Sequence, residues 1–295
     1  MKVRKSVIAL FLLPASMVYL AFILIPTIWA FYFSVFDWSG FSEGMKFVGL
    51  GNFTQLFRDH LFWLSLRNTL IILIPGGVII FLITFFLTVL INSGVRGKKF
   101  FRGMIFLPNV IAIIALTTLW AFIYNPSFGL LNGFFRLIGL EQFSQITWTS
   151  ADRIFYAALV PIIWLNVGFQ LVLMMAGIDK IPFEFFEAAK IEGANQLQMF
   201  LRITVPMIWD VITVALVLWA ISALKMFEFL YAFGGLNMPQ SLYTVGIYLY
   251  VMGFGKRDPI YRLGYATAIG VLLLLSVVII VALIRRVTRR ETISY

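Results

Sequence analysis

"EFFEAAKIEGANQLQMFLRITVP", Glu184 to Pro206, is a polar, amphipathic stretch set between two runs of almost wholly apolar residues. Local chemistry gives it a shape. Pro182 suits the first turn of a helix, where its missing N–H costs nothing, and Glu184 and Glu187 place negative charge near the positive end of the helix dipole. That helix is expected to run to about Glu192, where Gly193 offers the left-handed backbone that ends helices. Asn195 followed three later by Gln198 has the form of a capping box. It opens a second helix carrying Leu197, Phe200, Leu201 and Ile203 or Thr204 on one side, until Pro206 turns the chain back. Ala188, Ala189 and Ala194 keep the neighbouring surfaces low. One reading is a plain loop on a membrane surface; the other is a docking part, since Phe185, Phe186 and Phe200 beside acids call for a protein groove to fill.

The rest of the chain sets the solvent. It is 61% hydrophobic and 12% charged, with a mean hydropathy of +0.96, whereas soluble domains are about one-quarter charged. The composition is that of an all-α integral membrane protein. A helix needs about 20 apolar residues to cross a bilayer, and six such runs are present, at 7–36, 66–91, 100–124, 154–178, 207–233 and 263–284, around a loop at 180–206. The alternating strands of an outer-membrane barrel are absent.

The net charge of +10 points to topology rather than to nucleic acid. With a cytoplasmic N-terminus, the inner segments hold Lys2, Arg4, Lys5, Arg96, Lys98, Lys99, Arg102, Lys180, Lys190, Arg202, Arg285, Arg286, Arg289 and Arg290, which is 14 of the 23 basic residues. Positive-inside bias then puts both termini in the cytoplasm, and the Arg285–Arg290 tail faces anionic lipid. The first apolar run is too long for a cleavable signal peptide and reads as a retained span.

Catalytic chemistry is missing. No GxxxxGK[ST] phosphate loop is present, since Gly97-Lys98 and Gly255-Lys256 lack the required neighbours, and there is no HExxH. With zero cysteines neither a disulfide framework nor a thiolate metal site is available. His60 reads as a solvated loop residue. The chain reads as a conduit, driven by a gradient or a partner. Prolines 14, 26, 75, 108 and 161 read as kinks whose freed carbonyls neighbours satisfy.

"EAAKIEGANQLQMFLRITVP" resembles the EAA loop of ATP-binding-cassette importer permeases. The matching residues are Glu187, Ala188, Ala189, Gly193, Ala194, Phe200, Ile203 and Pro206, with Glu192 where an aspartate is usual. "LFLLPASMVYLAFILIPTIWAFYFSVFDW", "FVGLGNFTQLF" with "LRNTL", "FFRGMIFLPNVIAIIALTTLWAFIYNPSFGLLN" and "GFQLVLMMAGIDKIP" are similar to the larger permease of carbohydrate importers of the maltose and glycerol-phosphate type. A T-x-GGP segment is common after the fifth span of that family; this chain has "AFGGLNMPQS" there, which puts the rim of the pocket in question. The resemblance implies a six-helix, type I importer transmembrane fold in the cytoplasmic membrane of a bacterium or archaeon. It implies a heterodimer with a second permease, two ATPase subunits holding ATP and magnesium, an extracytoplasmic solute-binding protein and a sugar substrate. No cofactor is expected on this chain. The 180–206 loop becomes the coupling element held in a cleft of the ATPase, through Glu187, Ala188, Ala189, Glu192, Gly193, Ala194 and Pro206.

Sugar sites combine aromatic faces with amides or charges. Asn166 and Gln170 are four apart on one face of the fourth span with Phe169 beside them, and lipid-facing amides are costly, so both are expected to point inward. Lys225 and Glu228, three apart in the fifth span, read either as a mutually neutralising pair or as substrate contacts. By resemblance these five residues are the pocket candidates. The stretch "YNPSFGLLNGFFRLIGL" can lie along headgroups with Leu130, Leu131, Phe134, Phe135 and Ile138, or form a landing surface for the binding protein. A secondary carrier would show buried carboxylates along several spans and an inverted repeat, and neither is seen. A purely structural membrane partner would leave the loop and the amides without purpose.

Overall fold

The computed structural model of the chain describes residues 5–41, 44–92, 95–235, 237–255 and 260–289. Lys2, Arg4 and Arg290 of the basic ends, Leu236 of the 232–241 stretch and Lys256 lie outside the described residues, as does the side chain of Lys5.

Among the described residues five helices are long and apolar enough to cross a membrane: Leu10–Phe33, His60–Asn92, Ile154–Ile178, Trp209–Gly234 and Leu263–Thr288. A sixth candidate is broken, since Lys98–Val110 and Ile113–Ile123 meet at 97°. The run at 100–124, where a kink is expected at Pro108, is therefore two pieces set at a far sharper angle than a kinked helix. Pro108 sits in a 3₁₀ turn over Leu107–Val110, and Ile111 and Ala112 are extended, which no helix can continue through. His60 is exposed as expected but opens the helix His60–Ile71 instead of lying in a loop. Among the described residues the only sheet is a pair of two-residue antiparallel strands, Phe36–Asp37 with Lys46–Phe47.

Contacts divide the chain into two compact units, residues 1–63 with 248–276 and residues 64–247 with 277–295. In the first, the short helix Gly51–Phe57 is tied down by Asn52, whose amide donates to the carbonyls of Ser34 (2.8 Å) and Phe36 (2.9 Å). Asp59 accepts from the Tyr248 hydroxyl, from the Tyr265 hydroxyl (2.8 Å) and from the Leu61 amide (2.9 Å). Arg262 lies 4.5 Å over the Tyr265 ring and donates to Gln55. The helix Leu10–Phe33 of this unit has no buried residue in its apolar window.

The second unit is organised around Ile154–Ile178, where Leu171, Met174 and Met175 are fully covered. Its interruptions are met by side chains. Pro161 leaves the Ala157 carbonyl without its intrahelical donor, and the buried Tyr124 hydroxyl donates to it at 2.8 Å. Pro75 lies in a π turn over Ile72–Gly76; the Gly77 amide bonds Ile74 instead of Leu73, and the Trp219 indole takes the Leu73 carbonyl at 2.9 Å. Gly77 has to be glycine, because a Cβ there would collide with the indole nitrogen. Asn109, at the break of the bent pair, donates to the Leu165 carbonyl at 2.9 Å, and a Cβ on Gly168 would strike the Ile105 carbonyl.

The connection between the runs at 207–233 and 263–284 is largely buried. Met238, Leu242, Tyr243, Thr244, Val245 and Ile247 are covered, and a ten-residue helix runs over Val245–Phe254. Asn68 holds the segment through the carbonyls of Ser241 (2.7 Å) and Tyr243 (2.9 Å), and the Val245 amide donates to Thr69 at 3.1 Å. Its apolar run is too short to span, so hydropathy alone left it outside. The helix Leu130–Leu137 forms as expected, with Leu130, Phe134 and Leu137 exposed, but Phe135 is turned onto Trp148 with ring centroids 6.1 Å apart.

Trp219→Phe is expected to lower stability by about 1–3 kcal/mol, the cost of one carbonyl left unpaired. Gly77→Ala adds an overpacking cost of about 1–3 kcal/mol and should be the worse of the two. Thermal unfolding in detergent, followed by tryptophan fluorescence, ranks them.

Candidate functional site

The elbow at 180–206 is built by local chemistry. The first helix spans Glu184–Ile191, with Glu184 and Glu187 in its first turn and Lys190 in its last, both matching the dipole. Pro182 stands just ahead of it, its carbonyl accepting from the Phe185 amide at 3.3 Å, and does not occupy the first turn itself. The end is a complete Schellman closure: the Gly193 amide donates to Lys190 (3.0 Å) and the Ala194 amide to Ala189 (2.9 Å), with Gly193 at φ +81°. No atom lies within 4 Å of a Cβ built on Gly193, so the glycine answers to backbone conformation and not to space. Two residues later the capping box is present in both directions. Gln198 N–H donates to Asn195 Oδ1 at 2.9 Å, and Asn195 N–H donates to Gln198 Oε1 at 2.8 Å.

The second helix, Gln196–Met199, runs into a π turn over Phe200–Thr204 ahead of Pro206. Here the expected apolar stripe divides. Phe200 is buried, 5.8 Å from the Phe85 ring, as are Met199 and Thr204, whereas Leu197 and Leu201 are exposed. Phe200 is thus an anchor, not a free docking group. Phe186 is half-buried and Phe185 exposed. The surface left open carries Glu187, Ala188, Glu192 and Gly193 beside Phe183, Phe185 and Ile191, the last of these 87% exposed. Ala189, Ala194 and Pro206 are half-buried at its edge.

Where the elbow leaves Ile154–Ile178, Asp179 receives both terminal nitrogens of Arg102, at 2.7 and 3.0 Å. The hydrogen bond and charge of that guanidinium hold the carboxyl below its usual range against the opposing effect of burial. This fork fixes the root of the elbow to the start of the bent pair.

The pocket candidates sort differently. Phe169 is exposed, and Asn166 is half-buried with its amide donating to Ile162 of its own helix at 2.8 Å. Gln170 is buried, and its Oε1 has no hydrogen-bond partner among the described residues. Lys225 and Glu228 do not share a helix face. The helix Trp209–Leu224 ends at Lys225, and Glu228 opens the next segment, Glu228–Gly234. The break is held by Thr244, whose hydroxyl donates to the Met226 carbonyl at 2.6 Å. Both charged residues are exposed, and among the described residues they form no ion pair with each other. Val214, Leu218, Ser222 and Lys225 continue one exposed face along Trp209–Leu224. Ser222 was overlooked in the sequence; its signal is the three-residue spacing to Lys225.

The model of the family described as "Binding-protein-dependent transport system inner membrane component" matches residues 68–293. A probable ABC transporter permease of Pyrococcus horikoshii is 33% identical over 278 residues, 93% of this chain and 92% of that protein. The diacetylchitobiose uptake system permease NgcF of Streptomyces coelicolor is 34% identical over 285 residues, 92% of this chain and 79% of that one. Among solved structures, a bacterial ABC transporter involved in importing the acidic polysaccharide alginate superposes with a TM-score of 0.81 at 24% identity, covering 98% of this chain and 97% of that chain. At that identity the likeness is one of fold.

Asn195→Ala should cost the elbow about 1 kcal/mol. Hydrogen exchange is expected to show faster exchange at the Gln198 and Met199 amides, with those of Leu171–Met175 unchanged.

Proposed function

Because the chain belongs to the family of binding-protein-dependent transport system inner membrane components, we propose that it is the permease subunit of an ATP-driven importer for a sugar or oligosaccharide. The observation that carries this reading is the elbow: two short helices, closed at the bend by a Schellman motif and a capping box, with Glu187, Ala188, Glu192 and Gly193 on an open surface. Its role is to sit in a cleft of an ATPase that binds ATP and magnesium. When two such ATPases close, each carries its elbow with it, and rigid spans pivot so that the pathway changes face. A loose polar loop would absorb that displacement. The capped bend, the buried Phe200 and the Arg102–Asp179 fork pass it on to three helices.

The partners follow from the same surfaces. A second permease subunit completes the pathway, and the Leu10–Phe33 helix, without a buried residue in its apolar window, supports a partner in the membrane. An extracytoplasmic binding protein delivers solute; the alginate transporter has been solved with an alginate pentasaccharide-bound periplasmic protein. Both termini lie in the cytoplasm, as charge bias favours.

Saccharide as the substrate class is supported by the named relatives and by the chemistry of the open face. The candidate contacts are Phe169 for a ring, Asn166 and Ser222 for hydrogen bonds and Lys225 and Glu228 for charge, while Gln170 is buried. Among the described residues Lys225 has no ion pair, which favours an acidic saccharide or a sugar phosphate as the second reading.

Glu187→Lys and Gly193→Val are each expected to abolish ATP-dependent uptake in proteoliposomes while membrane insertion is retained. Normal coupled uptake by either variant overturns the role of the elbow. Asn166→Ala should raise the apparent substrate KM several-fold and leave binding-protein-stimulated ATP hydrolysis intact; an unchanged KM removes Asn166 from the pocket.

A further inference from the structure

Behind the elbow lies a cavity of about 420 Å³ to which the importer reading assigns no ligand. It is enclosed by the last turns of His60–Asn92 and Ile154–Ile178, the first turn of Lys98–Phe106 and the inner faces of both elbow helices. Its floor is apolar, with Ile178, Phe186 and Phe200 among its residues, and its rim carries Lys98, Lys190 and Asp179. Lys98 is held loosely by Asn92 Oδ1 at 3.4 Å, and Lys190 lies 5.9 Å over the Phe183 ring. Asp179 feels the charge of Lys98 but is already balanced by the two terminal nitrogens of Arg102, so the cations around the cavity outnumber its one carboxylate. Glu184, Glu187 and Glu192 of the elbow do not line the cavity.

We propose that this cavity seats the phosphate-bearing headgroup of an anionic membrane phospholipid, with Lys98 and Lys190 on the phosphate and the first acyl methylenes on the apolar floor. Basic pockets between membrane helices at their cytoplasmic ends suit such headgroups, and each lysine near an anionic surface is worth about a fivefold gain in affinity. The cavity lies where two candidate membrane helices end, at the end that charge bias assigns to the cytoplasm. An apolar floor adds nothing to the binding of a bare phosphate ion and adds to that of an amphiphile. A lipid held there touches both elbow helices and the ends of two spans at once, so its presence stiffens the joint.

The test measures binding and not transport, so its result is independent of the importer reading. The full chain, delipidated in a non-ionic detergent, is titrated with phosphatidylglycerol, phosphatidylcholine and inorganic phosphate, and occupancy is followed by native mass spectrometry. One phosphatidylglycerol is expected to bind saturably and to be preferred to phosphatidylcholine. Lys98→Gln and Lys190→Gln should each weaken it roughly fivefold, and together about 25-fold. Lys98→Arg should retain binding, and Lys99→Gln, on the same helix but outside the cavity lining, should leave it unchanged. Equal binding of phosphatidylcholine overturns the proposal. So does wild-type affinity in the folded double variant, and so does displacement of phosphatidylglycerol by millimolar inorganic phosphate, which would mark a free-anion site.

Discussion

In an apolar interior no water is available to complete the hydrogen bonding of a broken helix, and the architecture of the larger unit follows from that constraint. Four of the unit's irregularities have a donor assigned to them from elsewhere in it. Tyr124 answers the proline in Ile154–Ile178, Trp219 answers the π turn at Pro75, Asn109 ties its own break to Leu165, and Thr244 caps the break after Lys225. Asn68 does the same for the buried segment near Tyr243. These are side chain to backbone bonds between helices far apart in sequence, so they fix register as well as satisfy groups. Interhelical packing in lipid lacks a hydrophobic drive of its own, and such bonds together with close glycine contacts supply much of its specificity.

The elbow applies a different solution to the same problem at the edge of the bundle. Its helices are too short to be stable by propensity. They persist because their ends are closed, by Gly193 and Ala194 on one side of the bend and by Asn195 and Gln198 on the other. Closure at the bend and anchorage at Phe200 leave the exposed acids and alanines on a surface of fixed shape. A partner that grips it meets a rigid body.

The features legible in the sequence were those decided within a few residues. The capping box, the glycine bend, the helix at 154–178 and the irregular turns at Pro75 and Pro108 follow from local pattern, and the structure has each of them, whereas Pro14 and Pro161 lie within continuous helices. What was missed depends on contacts made at long range. The side of the second elbow helix that would be buried was set by Phe85, more than a hundred residues away. Lys225 and Glu228 were placed on one face by assuming an unbroken helix, and the interruption between them depends on Thr244. The segment at 238–247 has too short an apolar run to announce its burial, which rests on Asn68 and Thr69. Among the pocket candidates, Asn166 turned to its own helix, a choice that periodicity does not decide.

The helix Leu10–Phe33 has one more implication. Lipid tails are as apolar as leucine side chains, so leaving that helix wholly surrounded by them carries little penalty. An element whose environment is nearly interchangeable can be lent to a neighbour without strain on its owner.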